Sequence, residues 1–187
     1  MANHNEEHLK GRKAEKPKDT GVLPSIAYLS LGSNLGDRES QLREAVNRLS
    51  VMGRVAAVSP FYETEPVEFA EQPWFLNCAV ALETRLTPLD LMSALLRIEK
   101  QMGRQRVQNK GPRSIDIDIL LFNDVVLKSA LLTIPHPAMQ QRRFVLEPLA
   151  EIAPLARHPL FHKTVVKLRD ALPVGQIVRK IKSESKF

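Results

Sequence analysis

One short stretch, residues 111–122 (GPRSIDIDILLF), constrains the fold and chemistry of this chain more than any other. Its three isoleucines alternate with polar residues, and this period of two predicts a β-strand with an apolar face and a polar face. Asp116 and Asp118 share the polar face, about 7 Å apart at Cα, close enough for their oxygens to bind one hard cation or two neighbouring ones. The alternative is a half-buried strand whose solvent-facing side carries aspartate by chance.

A basic segment precedes this strand. Six Lys/Arg residues lie between positions 97 and 113, against a single acid, Glu99: they are Arg97, Lys100, Arg104, Arg106, Lys110 and Arg113. Mg²⁺ is commonly held by one or two carboxylates together with substrate phosphates, and the arginine fork matches phosphate oxygens. The two features together indicate a polyphosphate site, whereas a solvated helix face and loop would explain the basic residues alone.

The composition argues against nucleic acid as a partner once the charge is located. The 187 residues carry a formal charge of +6, with 43% hydrophobic and 26% charged residues, as in one ordinary globular domain. From Arg157 onward there are eight Lys/Arg and two acids, whereas residues 25–156 carry fourteen and fifteen. The body is therefore close to neutral, and the basic character belongs to the C-terminal part.

Cysteine use and hydropathy indicate the compartment. The single cysteine, Cys78, lies in an apolar run and is interpreted as a small buried hydrophobe in a reducing environment. No apolar stretch approaches the roughly 20 residues of a membrane-spanning helix, and the first residues lack a signal-peptide core. We therefore expect a cytoplasmic protein without membrane contact.

The order of elements predicts an α+β fold. Strands are expected over residues 26–31, 54–59, 75–84 and 115–122, one helix after the N-cap Asp37, and another after Thr87 and Pro88. This β-α-β-β-α-β order is the ferredoxin-like arrangement, an antiparallel sheet with helices packed on one face. C-terminal additions follow, with short helices predicted over 142–150 and 165–172.

Three regions are predicted along the chain. Residues 1–24 are polar and charged and are expected to form a disordered tail. Residues 25–160 form the main domain, and 161–187 a short helix followed by a frayed basic tail. We expect a monomer.

Five motifs, taken in order, resemble the 6-hydroxymethyl-7,8-dihydropterin pyrophosphokinase family of folate biosynthesis. They are LGSNLGDR, FYETEP followed by QPWFLNCAV, RIEKQMGR, GPRSIDIDILLF and IPHPAMQQRRFVLEPLAEIAP, and they span roughly residues 26–154. The resemblance implies transfer of the terminal pyrophosphate of ATP to the pterin hydroxymethyl group, leaving AMP, on a ferredoxin-like fold with two Mg²⁺ ions. Its partners would be these two small molecules.

The resemblance also implies residue roles. Asp116 and Asp118 would hold the magnesium ions, and Arg104, Arg113 and Asp118 would act in catalysis, Asp118 as the proton acceptor. The ATP-binding set would be Leu96, Glu99, Arg104, Arg106, Arg113, Ile119, Thr133, His136 and Arg142. The pterin-binding set would be Thr64, Val67, Phe75, Asn77 and Phe144. From its position in an apolar strand alone, Asn77 could equally make a cross-strand hydrogen bond, and Phe144 could be a core residue.

Two departures from the family pattern concern the same site. Lys110 stands where a tryptophan often precedes Gly-Pro-Arg, which removes a stacking contact, and Phe75 stands where tyrosine is common. No fused dihydropteroate synthase is expected on this chain. The alternative function is a ferredoxin-like nucleic-acid-binding module, but the aromatic strand motif of RNA-recognition domains is missing and aromatics make up only 5%.

Overall fold

The computed structural model describes residues 23–66, 72–104 and 111–181, and the structural statements below concern these ranges. The strands are β1 (Ser25–Ser33), β2 (Gly53–Val58), β3 (Tyr62–Thr64), β4 (Phe75–Thr84), β5 (Asp116–Phe122), β6 (Leu127–Lys128), β7 (Thr133–Ile134) and β8 (Val178–Lys180). The α-helices are α1 (Arg38–Leu49), α2 (Pro88–Gln101), α3 (Arg143–Ile152) and α4 (Val165–Asp170). The predicted N-terminal tail up to residue 22 lies outside the described residues.

The main sheet is antiparallel throughout, as predicted. Its strand order is β5-β1-β4-β3-β8, and β2 also pairs with β4. The central strands β1 and β4 are paired along their whole lengths, from Ser25 opposite Thr84 to Ser33 opposite Leu76. The aspartate strand β5 lies on the other side of β1, with Asp118 opposite Ser30. The C-terminal end of β1 therefore lies between the N-terminal ends of β4 and β5, with Gly32 opposite both Asn77 and Asp116.

Helices α1 and α2 cover one face of the sheet, where the main core lies. Helix α1 begins as predicted, with the Asp37 carboxylate accepting a hydrogen bond from the Ser40 backbone N–H at 3.0 Å. The apolar side chains of its inner face, Leu42, Ala45, Val46 and Leu49, are buried, and the Thr87 side chain likewise caps α2. These positions recur at i, i+3, i+4 and i+7, so one stripe of each helix packs on the sheet.

Helices α3 and α4 pack on the opposite face. Leu146, Leu149 and Val165 are fully buried there and form a second core with Ala79 and Leu121 of the sheet. The prediction of helices on one face therefore holds for α1 and α2 only, because the second sheet face also carries apolar side chains that α3 covers. Among the helices of the described ranges, none is long and apolar enough to cross a membrane.

The segment after α4 rejoins the sheet, so the prediction of a frayed tail is wrong for residues 178–180. Strand β8 pairs with β3, placing Val178 opposite Thr64 and Lys180 opposite Tyr62. A tertiary network adds to this pairing, since Glu151 of α3 accepts from the Tyr62 hydroxyl at 2.6 Å and from Lys180 Nζ at 2.8 Å. The unpaired backbone groups on the outer edge of β3 form hydrogen bonds with β8. The periodicity of the sequence does not reveal this pairing.

Candidate active site

A cavity of about 320 Å³ opens on the sheet face opposite α1 and α2. It is lined by Ser30, Gly32, Thr64, Glu65, Pro66, Gln72, Phe75, Asn77, Arg104, Arg113, Asp116, Asp118, His136, Arg142 and Phe144. The lining comes from β1, β3, β4, β5 and the start of α3, so the sheet provides its floor. Most of the side chains predicted from sequence as site residues meet in this one cavity.

Asp116 and Asp118 both face the cavity, as the period of two predicted. Both oxygens of Asp116 are paired with arginines, Oδ1 with Arg104 at 2.7 Å and Oδ2 with Arg113 at 2.6 Å. The Asp118 side chain lies on the cavity floor and is 42% exposed. Partial removal of the Asp118 carboxylate from water, together with the neighbouring Asp116 charge, raises the pKa of Asp118 to about 6. The pair thus concentrates negative charge that favours a cation.

Glu99 anchors one of these arginines from beneath the cavity. Its carboxylate is buried, with 3% of the residue exposed, and it accepts a hydrogen bond from the Ile117 backbone N–H at 2.7 Å. It also forms an ion pair with Arg104. Burial raises the pKa of Glu99, while the Ile117 N–H and the Arg104 guanidinium act in the opposite direction. Glu99 therefore fixes Arg104 against β5 and does not itself line the cavity.

His136 presents a neutral ring to the same floor. Burial, with the nearby Arg142 charge, lowers the pKa of His136 to about 4. Its Nδ1 accepts a hydrogen bond from the Ala138 backbone N–H at 3.2 Å, which leaves the ring proton on Nε2. Nε2 lies 4.0 Å from Asp118 Oδ2. His136 therefore offers the cavity a neutral N–H donor beside the carboxylate.

The opposite wall is an amide beside an aromatic ring. Asn77 is 3% exposed, and its Nδ2 donates to the Thr64 hydroxyl oxygen at 2.7 Å. A Cβ atom added at Gly32, on the neighbouring strand, would lie only 2.6 Å from Asn77 Oδ1 and 3.8 Å from the Phe75 ring. The absence of a side chain at position 32 is thus what allows the Asn77 amide to occupy this wall.

Each of the two predicted substrate-stacking rings lies beside an arginine. The Arg113 guanidinium carbon is 5.5 Å from the Phe75 ring centroid, and that of Arg142 is 5.6 Å from the Phe144 centroid. At these distances a guanidinium is attracted to the electron-rich face of the ring. Cationic and flat apolar surfaces therefore adjoin within the cavity, as a ligand with both a charged and an aromatic part would require.

Some predicted residues lie elsewhere. Leu96 is 37% exposed on α2, whereas Ile119 is 2% exposed in the core under α1 and α2. Thr133 lies on the small strand β7. None of these three side chains is among the described residues that line the cavity. Arg106 and Val67 lie outside the described residues, so their predicted roles stay predictions, as do the roles of the whole set.

The sequence analysis also missed several cavity residues: Ser30, Gly32, Glu65, Pro66 and Gln72. A signal for the first two was present. Leu29 and Leu31 alternate with them along β1 and are fully buried on the other face, which is the same period-two pattern as in the aspartate strand. Glu65, Pro66 and Gln72 lie outside the strands and helices and carry no comparable periodic signal.

The carboxylates of Asp116 and Asp118 fit a hard divalent cation whose remaining ligands are water and substrate oxygens. Among the described residues, no group of three or more His, Cys, Asp and Glu side chains is arranged to hold a metal ion. A closed structural zinc site is therefore not formed by them. Two carboxylates on one strand face match Mg²⁺, which takes one or two protein carboxylates and completes its shell with waters and substrate phosphates.

Comparison with known proteins gives a consistent result. The family model described as 7,8-dihydro-6-hydroxymethylpterin-pyrophosphokinase (HPPK) matches residues 28–154. A Bacillus subtilis protein named 2-amino-4-hydroxy-6-hydroxymethyldihydropteridine pyrophosphokinase is 48% identical over 132 residues, covering 70% of this chain and 79% of its own length. The folic acid synthesis protein fol1 of Schizosaccharomyces pombe is 47% identical over 150 residues, covering 79% of this chain.

The remaining comparisons concern length and fold. The chain spans 20% of the S. pombe relative and 24% of a Dictyostelium discoideum relative named FOL1. A crystal structure of Plasmodium falciparum HPPK-DHPS matches with a TM-score of 0.64 at 18% identity, covering 81% of this chain and 46% of that chain, which supports the fold alone. By the extent of the family match and the identity to its relatives, the chain belongs to the 7,8-dihydro-6-hydroxymethylpterin-pyrophosphokinase family.

Proposed function

We propose that this protein transfers pyrophosphate from ATP to 6-hydroxymethyl-7,8-dihydropterin, giving AMP and the pterin diphosphate in folate biosynthesis. One observation carries the proposal: the carboxylates Asp116 and Asp118 and the amide of Asn77 face the same cavity. One side of that cavity has the charges that a polyphosphate needs, and the other has an amide and aromatic rings suited to a flat heterocycle. Family membership supports the same reaction.

The arginines would hold the polyphosphate. Arg104, Arg113 and Arg142 line the cavity, and the guanidinium groups of the first two lie against Asp116. Phosphate oxygens are stronger competitors for these forks than a single carboxylate, because they carry about four negative charges on ATP. We infer that Arg113 turns from Asp116 to the phosphates when ATP binds, which exposes Asp116 Oδ2 to a cation, while Glu99 keeps Arg104 in place.

Asp116 and Asp118 would then hold Mg²⁺, and we propose two ions as in the family pattern. When bound, the ions would neutralise charge on the phosphates and on the leaving oxygen. The reaction forms a bond between the pterin hydroxymethyl oxygen and the β-phosphorus and breaks the bond from that phosphorus to the oxygen that departs with AMP. Alignment by Arg104 and Arg113 contributes positioning and electrostatic stabilisation.

The proton of the hydroxymethyl group needs an acceptor, and we propose Asp118. Its carboxylate lines the same cavity as Asn77 and the two aromatic rings, where the hydroxymethyl group of the pterin would lie. The neutral His136, whose Nε2 is 4.0 Å away, would donate to an Asp118 or phosphate oxygen without adding charge. His136 and Arg142 would therefore orient groups at this end of the cavity.

The pterin ring would lie against the opposite wall. Asn77 offers its Oδ1 to ring donors because its Nδ2 is already donated to Thr64. Phe75 and Phe144 would provide aromatic contacts to the two-ring system. We propose that Val67 adds an apolar contact to the ring.

The adenosine part of ATP would bind outside the cavity, near Leu96, Glu99, Ile119 and Thr133. Strand β5 is at the edge of the main sheet. The Ile117 N–H points away from β1 to Glu99, and backbone groups two residues further along a strand point to the same edge. Ile119 would therefore contribute backbone groups, while its side chain stays in the core.

The fold favours the proposed pyrophosphoryl transfer over nucleic-acid binding. The strand order β5-β1-β4 flanked by β2 and β3 supports a ferredoxin-like arrangement, for which we propose 25–160 as the catalytic unit and 161–187 as an addition. RNA-recognition domains of this arrangement bind RNA on an open sheet face, but here α3 packs on that face. We further propose that the protein acts as a cytoplasmic monomer.

An assay for AMP tests the proposal directly. Purified protein with ATP and Mg²⁺ should form AMP only when 6-hydroxymethyl-7,8-dihydropterin is added, and omission of Mg²⁺ should stop the reaction. AMP formation that does not depend on the pterin, or none at all, would contradict it.

A further inference from the structure

Helix α3 begins without a capping side chain of its own. Its N-cap residue is Arg142, which makes no side-chain cap hydrogen bond and instead lines the cavity. The first backbone N–H groups of a helix have no partner within the helix, and Ser, Thr, Asp or Asn usually supplies one. At this helix start, the capping position is occupied by a residue directed to the ligand site.

The missing acceptor comes from a distant residue. The Gln176 side-chain oxygen accepts a hydrogen bond from the Phe144 backbone N–H at 3.2 Å, across 32 residues of sequence. The Gln176 Nε2 atom is buried and has no hydrogen-bond partner. Within the part of the chain that the structure describes, the hydrogen bond to Phe144 is therefore the one polar contact found for this amide. We interpret it as the reason why the Gln176 side chain lies at the start of α3.

The same segment, residues 172–181, holds the cavity wall at a second place. Ile177 N–H donates to Glu65 Oε1 at 2.8 Å, and Glu65 N–H donates to the Ile177 carbonyl at 3.3 Å. Arg143, next to Phe144, donates to the Leu172 carbonyl at 3.1 Å. Glu65 lines the cavity, so the 172–181 segment contacts the cavity wall on both β3 and α3 sides.

We propose that Gln176 is a positioning residue, which caps α3 and thereby fixes Phe144 and Arg142 at the substrate cavity. The family match ends at residue 154, so this contribution comes from a part of the chain that the family model does not cover. Phe144 and Arg142 also contact each other, with the Arg142 guanidinium carbon 5.6 Å from the Phe144 ring centroid. The inference rests on the proposed function, because the effect is measured on pterin use.

Gln176→Met is the decisive variant. It keeps the length and packing of the side chain, removes the acceptor, and also removes the buried Nε2 atom that has no partner. We expect the KM for the pterin to rise about fivefold and the unfolding temperature to fall by only about 2–4 °C, as for the loss of one helix cap. Gln176→Glu keeps an acceptor at a helix N-terminus, where negative charge is favourable, and should restore the parental KM.

Two controls separate positioning from a general structural effect. Val174→Met places the same side chain at a fully exposed position of the same segment and should leave all kinetic constants unchanged. In a double-mutant cycle, Phe144→Ala should raise the KM much less in the Gln176→Met background than alone, because Gln176 acts through Phe144. Amide hydrogen exchange at Phe144 should be about tenfold faster in Gln176→Met, whatever the substrate proves to be.

The outcomes are distinct. A parental KM in Gln176→Met, or full additivity with Phe144→Ala, in an enzyme that turns over pterin would overturn the inference. A lowered unfolding temperature with parental KM would also overturn it. An inactive parent protein would instead reject the proposed function, and the exchange rate at Phe144 would still decide whether Gln176 caps the helix.

Discussion

Asn34 and Arg113 are joined by a reciprocal pair of hydrogen bonds between two distant parts of the chain. The Arg113 backbone N–H donates to Asn34 Oδ1 at 2.7 Å, and the Asn34 backbone N–H donates to the Arg113 carbonyl at 3.1 Å. The Asn34 Nδ2 group donates to Gln72 Oε1 and to the Pro73 carbonyl, both at 3.3 Å. One buried amide thus connects the proposed phosphate side of the cavity with the proposed pterin side.

Replacing Asn34 by Ala should therefore impair both substrates. The Arg113 N–H would lose its acceptor, a loss of about 1–3 kcal/mol for a buried group, and the contacts to Gln72 and Pro73 would go as well. Steady-state kinetics should show higher KM values for ATP and for pterin. Asn34→Asp keeps the acceptor for Arg113 and should spare ATP more than pterin. Asn47→Ala, on the exposed face of α1, is the matched control, and equal kinetics for Asn34→Ala and Asn47→Ala would refute this linking role.

Removal of either strand carboxylate should stop turnover without unfolding the protein. Asp116→Ala or Asp118→Ala removes a proposed Mg²⁺ ligand and should lower kcat about a hundredfold or more. Arg104 and Arg113 line an open cavity, so the loss of Asp116 leaves them accessible to water and the unfolding temperature should change little. AMP formation and thermal melts measure the two effects. Asp124→Asn, at an exposed position after β5, should behave as the parent protein, and substantial activity in both alanine variants would contradict the metal assignment.

A methyl group at Gly32 should damage the pterin wall selectively. The Cβ of alanine would lie 2.6 Å from Asn77 Oδ1, closer than real Cβ contacts, so Asn77 must move away from its hydrogen bond with Thr64. We expect Gly32→Ala to raise the KM for pterin about tenfold while the KM for ATP changes much less. Gly175→Ala is the matched control because no atom lies within 4 Å of its added Cβ. An equal rise in both KM values would argue against a pterin-specific wall.

Acidification should destabilise the turn that follows α3 through His158. Burial lowers the pKa of the His158 imidazole, and its Nδ1 accepts from the Leu160 and Phe161 backbone N–H groups at 3.3 and 3.4 Å. Because the folded pKa is depressed, this contribution to stability is present above the ordinary histidine pKa of about 6.5 and is lost as pH falls through the folded value.

The measurement is the unfolding temperature from about pH 7.5 down to about pH 5, across the histidine range. The parent protein should lose more stability on acidification than His158→Asn, which cannot titrate. His162→Asn is the control, since His162 is exposed and has a φ of 53°, a conformation that asparagine tolerates. Parallel pH profiles for the parent protein and His158→Asn would exclude this role for His158.

Local patterns in the sequence were sufficient for much of the fold. The caps Asp37 and Thr87 predicted where α1 and α2 begin, and the third predicted strand, 75–84, has the observed bounds of β4. These features depend on side chains within a few residues of each other, so they are encoded where they occur. The position of Asp116 and Asp118 on one face of β5 was predictable for the same reason, because it depends only on the alternation of neighbouring residues.

Contacts between distant residues were not predictable in the same way. The hydrogen bond from the Ile117 N–H to Glu99, the cap that Gln176 gives to Phe144 and the pairing of β8 with β3 all join residues with no periodic relationship. Different partners for these side chains would be equally compatible with the helix caps and strand periodicity seen in the sequence. Their partners follow from packing of the whole chain, in which buried polar groups must find hydrogen bonds.

The sequence alone was sufficient for the order β1-α1-β2-β4-α2-β5, the face of β5 on which its carboxylates lie and the family to which the chain belongs, because each depends on short-range patterns or motifs. It did not predict β8. The position of α3 on the second sheet face, the contacts of Asn34 with both halves of the cavity and the contacts of residues 172–181 with its walls were evident only in the folded chain. These arrangements depend on which distant surfaces exclude water together, a property of the packed chain that no local pattern contains.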